Sequence, residues 1–155
     1  MIRATLIGFL FLLTFSACDK GVLVSEKWKW DDQQWIAGDT KSFVMQATDT
    51  TTVYQMDIQV NHEETYGYQN LYVRTMTTFP SGKEVSSVTS LELINPDGSW
   101  AGDMGESCCK VDIPLQQGFR FPEVGTYTWT IEPFMRIDTI MGIKSLKVTC
   151  REFKE

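Results

Sequence analysis

The chain has 155 residues and a formal net charge of −6, a length that suits one domain. Its content of 43% hydrophobic and 12% aromatic residues supports a packed core and excludes a disordered chain. The acidic balance argues against a nucleic-acid partner, because nucleic-acid-binding surfaces are basic.

The start of the chain has the features of a bacterial export signal. Arg3 is the only charged residue before Asp19, residues 6–13 form an apolar block, and small residues precede Cys18. This order is typical of a secretory signal peptide, and the block is too short for a helix that crosses about 30 Å of hydrocarbon. We expect residues 1–17 to be removed. An ordinary secreted protein with a cysteine beside its cleavage site is the alternative.

The residues around the predicted cleavage site resemble the bacterial lipobox. They are Phe15-Ser16-Ala17-Cys18, and the resemblance implies a diacylglycerol on the Cys18 thiol, cleavage before Cys18 and acylation of the new amine. Two acyl chains suffice for stable attachment, since each buried methylene contributes about 0.8 kcal/mol. Loss of Arg3 leaves a net charge of −7, so we expect membrane contact through this lipid, the only cofactor-like group, and not through anionic headgroups.

Tryptophans are concentrated near the start of the mature chain. We interpret residues 18–27 as the lipidated cysteine and a tether, and residues 28–155 as the folded domain. Trp28, Trp30 and Trp35 begin that domain, and Trp100 lies in a later loop. Because exposed aromatic rings anchor partners and stack on sugars, we predict these four as interface or ligand aromatics. Core filling, expected for Trp129, is the alternative.

Apolar and polar residues alternate in most of the remaining chain, which predicts half-buried strands. The predicted strands are residues 41–47, 53–60, 71–79, 84–94, 126–132 and 144–151. Pro80-Ser81-Gly82-Lys83 predicts a hairpin turn, and Asn95-Pro96-Asp97-Gly98 predicts a type I turn. Residues 61–70, 99–123 and 134–140 are predicted to be irregular. The pattern favours an all-β protein, an antiparallel two-sheet sandwich of jelly-roll or immunoglobulin-like type.

Three cysteines remain after Cys18 is assigned to lipid, namely Cys108, Cys109 and Cys150. An exported protein meets an oxidising compartment, so a disulfide from Cys109, or from Cys108, to Cys150 is one interpretation. Buried thiols are the other, and the alternation around Cys150 favours a core position. Zinc is not expected, because no cysteine or histidine partner lies at zinc-like spacing.

Residues that carry catalysis are sparse. His62 is the only histidine and lies in a polar stretch with Glu63 and Glu64, which we interpret as a solvated loop. Asp97, Asp103 and Glu106 are a weak calcium candidate without EF-hand spacing. No phosphate-binding glycine loop occurs. We therefore expect no enzymatic activity and no metal.

Three stretches behind the lipobox resemble the gliding motility lipoprotein GldH family when taken in order. They are residues 70–83, residues 95–102, and residues 119–127 continued by Glu132, Met135 and Arg136. The resemblance implies an envelope lipoprotein needed for gliding over surfaces, linked to the motor and to the system that secretes adhesins, with no enzymatic activity. The adjacent pair Cys108-Cys109 departs from the family pattern.

Two functional hypotheses follow, and a third is weaker. The first is a non-catalytic component, anchored by lipid in the outer membrane, that binds other gliding or secretion proteins. The second is a surface glycan-binding module, suggested by the sandwich and the tryptophans. The third is a hydrolase, which would need His62 or a carboxylate pair in a cleft.

Overall fold

The computed structural model describes residues 21–105 and 109–153, and these residues form eleven antiparallel strands and no helix. The strands are β1 (Val22–Lys29), β2 (Gln34–Ile36), β3 (Lys41–Ala47), β4 (Tyr54–His62), β5 (Asn70–Thr78), β6 (Glu84–Glu92), β7 (Asp103–Met104), β8 (Cys109–Phe119), β9 (Gly125–Pro133), β10 (Thr139–Met141) and β11 (Ile143–Glu152). The prediction of an all-β antiparallel sandwich is confirmed.

Two sheets face each other across the core. Sheet 1 has the order β1-β11-β4-β8-β7, and sheet 2 has the order β3-β9-β5-β6. A short third sheet pairs β10 with β2. Side chains alternate between core and solvent along the central strands, as the period-two pattern predicts. The buried faces include the predicted inward residues Met56, Ile58, Tyr127, Ile131 and Val148.

The first strand begins earlier than the sequence suggested. Residues 22–29 form β1, which pairs with β11 from Val22 opposite Arg151 to Lys29 opposite Ser145. The tether predicted for residues 18–27 therefore gives way to a strand at Val22. The sequence of β1 shows no clear alternation because its side chains are at least partly exposed on both faces.

The segment predicted to be irregular between residues 99 and 123 contains β7 and the eleven-residue strand β8. Two register shifts interrupt the pairing of β8 with β4, between the partners of Tyr54, Met56 and Asp57. An extra residue at a bulge reverses the alternation of side chains. That reversal, together with Pro114 and Gly118 within the strand, explains why the sequence pattern predicts an irregular segment here.

The turns behave as predicted. The amide of Gly98 donates to the carbonyl of Asn95 at 2.9 Å, which closes the Asn-Pro-Asp-Gly turn. The β5–β6 hairpin turns at Pro80 and Gly82. Gly125 lies against this hairpin, and a Cβ there would approach the Pro80 ring to 2.8 Å. The absence of a side chain thus lets the start of β9 pack directly on the hairpin.

Candidate functional site

The tryptophans before β3 are buried. Trp35 is fully buried, and Trp30 is 9% exposed. Their rings lie 4.9 Å apart, and Asp39 accepts both indole N–H groups, Trp30 through its carboxylate and Trp35 through its carbonyl, each at 2.9 Å. The pKa of Asp39 is lowered: burial opposes the shift, but hydrogen bonds from Lys41 and Trp30 outweigh it.

The other two predicted aromatics also pack on the core. Trp28 stacks on Phe43 with ring centroids 6.3 Å apart, and Trp100 meets His62 edge-on at 4.7 Å. Both are half-buried. Burial contradicts the prediction of interface or ligand aromatics for Trp30 and Trp35. For the half-buried Trp28 and Trp100 it stays a prediction.

The predicted disulfide between Cys109 and Cys150 is also wrong, since Cys150 is a buried free thiol. β8, which holds Cys109, and β11, which holds Cys150, both pair with β4, but Cys109 lies opposite His62 and Cys150 lies opposite Met56. Six residues of strand separate those positions by about 20 Å, whereas a disulfide needs Cα atoms within about 7 Å. Burial raises the pKa of Cys150 to about 12. Cys18 and Cys108 lie outside the described residues.

His62 is the last residue of β4 and is fully buried, so the solvated-loop interpretation is wrong. Its Nδ1 lies 2.8 Å from the Glu63 carbonyl, which fits an N–H donor there. Its Nε2 is buried and has no hydrogen-bond partner among the described residues. Burial lowers the pKa of this imidazole. The surrounding rings of Tyr66 and Trp100 make it part of an aromatic cluster.

The weak calcium candidate does not assemble in the described part of the chain. Asp97 accepts hydrogen bonds from the amide and hydroxyl of Ser99, which accounts for its carboxylate. Asp103 lies in β7, and Glu106 lies outside the described residues. Within residues 21–105 and 109–153, no three His, Cys, Asp or Glu side chains are grouped to hold a metal ion.

The two edges of the sandwich differ, and the β6/β8 edge carries a groove that we call the lateral groove. Its two parts, about 210 and 240 Å³, share Met56, Gln116 and Trp129. Each is smaller than a typical small-molecule pocket. One wall is inward-facing β5 and β6, with Thr75, Thr77, Val85, Ser87 and Thr89; the other includes Leu115 and Phe119 of β8.

The groove exists because the sheets separate toward one end of β6. The inward-facing residues of that strand run from fully buried Leu91, through half-buried Thr89, to exposed Ser87 and Val85, the last 45% exposed. Their partners on β5 follow the same trend from Leu71 to Thr77. Residues at this end of the two strands point between the sheets without being covered.

β6 is also the outer strand of sheet 2, since it pairs only with β5. Residues 85–91 contain no charged residue and no proline, the features by which natural edge strands avoid pairing with other chains. No sequence signal distinguished β6 from a covered strand, because the exposure of its inward face depends on how the sheets separate.

The outward face of sheet 1, which points away from the core, is polar, and charged side chains on it interact with one another or with neighbouring amides. Arg151 pairs with Asp57 at 2.8 Å, and the Gln59 amide donates to Asp112 at 2.8 Å. Shallow depressions on this face are lined mainly by polar side chains. Trp30 and Trp35 are buried in the core and do not form a sugar-stacking platform on this face.

No helix in the described residues is long and apolar enough to span a membrane. A family model described as GldH lipoprotein matches residues 22–148. A relative from Christiangramia forsetii, described as "Gliding motility lipoprotein GldH homolog", is 29% identical over 153 residues, 94% of this chain and 91% of the relative.

Likeness to solved structures is slight. A structure of TmCBM61 in complex with β-1,4-galactotriose gives a TM-score of 0.33 at 11% identity, over 84% of this chain and 82% of that chain. A structure of infectious bursal disease virus gives 0.27 at 13% identity, over 96% of this chain and 36% of that chain. Scores this low carry no argument about function.

Proposed function

Because the chain belongs to the GldH lipoprotein family, we propose that it is a lipid-anchored component of the bacterial gliding machinery that acts by binding other envelope proteins. The relative named as a gliding motility lipoprotein aligns along nearly the whole chain. The family match confirms the resemblance stated from the sequence.

The proposed anchor is lipid on Cys18, in the outer membrane. Support comes from the lipobox-like residues before Cys18 and from the family's description as lipoproteins. Val22 begins β1 only four residues later, a span of at most about 14 Å. The anchor would therefore hold one end of the sandwich against the bilayer. Tyr54 and Phe119 lie at that same end, because Arg151 opposes Val22 and the next residue, Glu152, opposes Tyr54.

Binding, and not catalysis, is the activity that the geometry supports best. The single observation that carries this part is the lateral groove with its bare edge strand β6. The groove is lined by apolar side chains and hydroxyls, together with Gln116 and, near Phe119, Arg120. His62 is enclosed by aromatic rings at the other end of the sandwich, far from the groove's Phe119 end along β4. The proposed partners are other proteins of the gliding and secretion machinery.

The test is a clean deletion with complementation, scored by time-lapse imaging of cells on a surface. We expect the deletion to stop gliding, the wild-type chain to restore it, and Cys18→Ala to leave the outer-membrane fraction and fail to restore it. Lys20→Ala, which keeps the lipobox-like residues, is the matched control and should behave as wild type. Normal gliding by the deletion strain would refute the proposal.

A further inference from the structure

We propose that β6 binds an extended segment of a partner protein by strand addition, and that alternate side chains of that segment enter the lateral groove. The inference rests on the proposed function and names the kind of partner segment that the groove takes. Adding a strand to an exposed sheet edge is an established mode of peptide recognition, in which main-chain hydrogen bonds give affinity and alternate side chains give specificity.

The main chain of β6 presents a regular array of unused hydrogen-bonding groups. Hydrogen bonds beyond both ends of the strand, from Phe79 to Lys83 and from Leu93 to Gln69, fix which residues bond to β5. Bonded pairs alternate in an antiparallel ladder, so the odd-numbered residues from Val85 to Leu91 bond to β5. The N–H and C=O groups of Ser86, Val88 and Ser90 consequently point away from the sheet.

The side chains of the same strand complete the site. In strands, successive side chains point to opposite faces, and in β6 the odd-numbered ones face the groove. Ser87 and Thr89 line the part that Leu115 of β8 also lines, and Val85 lines the part with Phe119 of β8. A strand added beside β6 would continue sheet 2 past this edge, and its inward side chains would meet the exposed wall of the groove. Apolar residues at alternate positions of the partner segment fit this surface.

Charge defines the ends of the partner segment. Glu84 and Glu92 end the strand, both exposed, and neither forms an ion pair with another described residue. They are eight residues apart, or about 27 Å, so Lys or Arg at matching ends of the segment would pair with them. A second copy of β6 is a poor occupant, because antiparallel pairing would bring Glu84 of one copy beside Glu92 of the other.

The first experiment places a photo-crosslinking residue, p-benzoylphenylalanine, at Val88 of the full chain in living cells. Ser86→Pro removes an outward N–H that the sheet itself does not use, and proline is tolerated in such edge positions. Ser86→Ala removes the hydroxyl but keeps that N–H. We expect Ser86→Pro to reduce cross-linking at least about ten-fold, because it removes a hydrogen bond and clashes with the added strand. Ser86→Ala should keep it.

Two controls make this result specific. The same crosslinker at Val44 tests the other edge of sheet 2, where an outward-facing valine is 58% exposed. Peptide mapping of the product should place the attachment within a stretch of alternating apolar residues with basic ends. A cross-link that survives Ser86→Pro, no product from Val88, or a product with the mass of two copies of this chain would each overturn strand addition.

Hydrogen exchange gives a second readout on the full lipoprotein in detergent micelles. The probe is a synthetic nine-residue peptide of alternating valine and threonine with lysine at each end. We expect slowed exchange at the amides of Ser86, Val88 and Ser90, and no change at Val85 or Ser87, whose amides already bond to β5. Unchanged exchange at millimolar peptide overturns the inference. Loss of gliding in the deletion would then still support the proposed function, so the two failures are distinguishable.

Discussion

The two lateral edges of the sandwich are built differently. At one edge β1 contacts β3 across the layers, and Trp28 stacks on Phe43, which itself packs against Trp129. At the other, β6 and β8 stand apart, and the residues between them are largely hydroxyl-bearing or half-exposed. Large aromatic rings close the first edge, whereas at the second the inward residues of β6 are Val85, Ser87 and Thr89, which are too small to close the space to β8.

This difference shows what the aromatic residues of the sequence do. A surface rich in tryptophan would have indicated a binding site, but here the rings complete the core. At the open edge, the inward face of β6 instead carries Val85, Ser87 and Thr89, which do not fill the space between the sheets. A binding surface of this kind depends on the course of the main chain. The comparison of the two edges can be tested by measuring how substitutions in the core and at the open edge change stability.

The largest expected loss of stability is at the fully buried Trp35, away from the open edge. Trp35→Ala removes a fully buried ring and an N–H bond to the Asp39 carbonyl, and should lower the free energy of unfolding by about 3–5 kcal/mol. Chemical denaturation measures it. Phe79→Ala removes a half-buried ring at the open edge and should cost clearly less.

Trp35→Phe keeps most of the buried ring and serves as the control for Trp35→Ala, in case the alanine variant does not fold. It should be less destabilising than alanine, because it leaves a smaller cavity. Equal losses for Trp35→Ala and Phe79→Ala would mean that the ring at the open edge is packed as tightly as the fully buried ring, which would contradict the comparison.

The sequence predicted best the strands whose burial is one-sided, at a sheet edge as well as in the centre. Residues 41–47 and 126–132 match β3 and β9 closely, since each buries one face and exposes the other. It failed at β8, where bulges reverse the alternation, and at β1, whose side chains are at least partly exposed on both faces. One-sided burial produces a period of two in the sequence, whereas exposure on both faces and bulges do not.

The candidate site was not predictable in the same way. The tryptophans are recognisable in sequence, but whether a ring is buried depends on which strands cover it. The lateral groove arises from the separation of β6 and β8 and from the direction of the amides at Ser86, Val88 and Ser90. Those are properties of register and of sheet shape. An uncharged, proline-free β6 was visible in the sequence, but its edge position was not.

An intermediate effect on stability is expected when the pH is lowered, because of His62 at the end of the sandwich away from Phe119. His62 is the only histidine, and burial lowers its pKa in the folded state. The unfolded chain therefore binds a proton first, near its ordinary pKa of about 6.5. Stability is then lost as the pH falls below that value, down to the lower folded pKa. The melting temperature of the wild type should drop between pH 8 and 5.5 more than that of His62→Gln.

Glutamine has no charge at either pH, so the difference between the two pH profiles isolates the imidazole. Other side chains with ordinary pKa values in this window are absent from the sequence except at cysteines and termini. Parallel profiles for the two proteins would show that His62 can be protonated without leaving its aromatic surroundings, and would contradict its burial.

The smallest effect is expected at the open edge. Ser87→Val adds a branched apolar side chain to the inward face of β6, where the serine is exposed inside the groove. If the groove is open, the added methyl groups contact water, and stability should change by no more than about 0.5 kcal/mol. If the sheets instead closed together in solution, the new side chain would be buried. Stability would then rise by about 1.5 kcal/mol or more, from the burial of apolar surface. Denaturation with Ser87→Ala as the size control distinguishes the two outcomes, because alanine removes the hydroxyl without supplying the branched side chain.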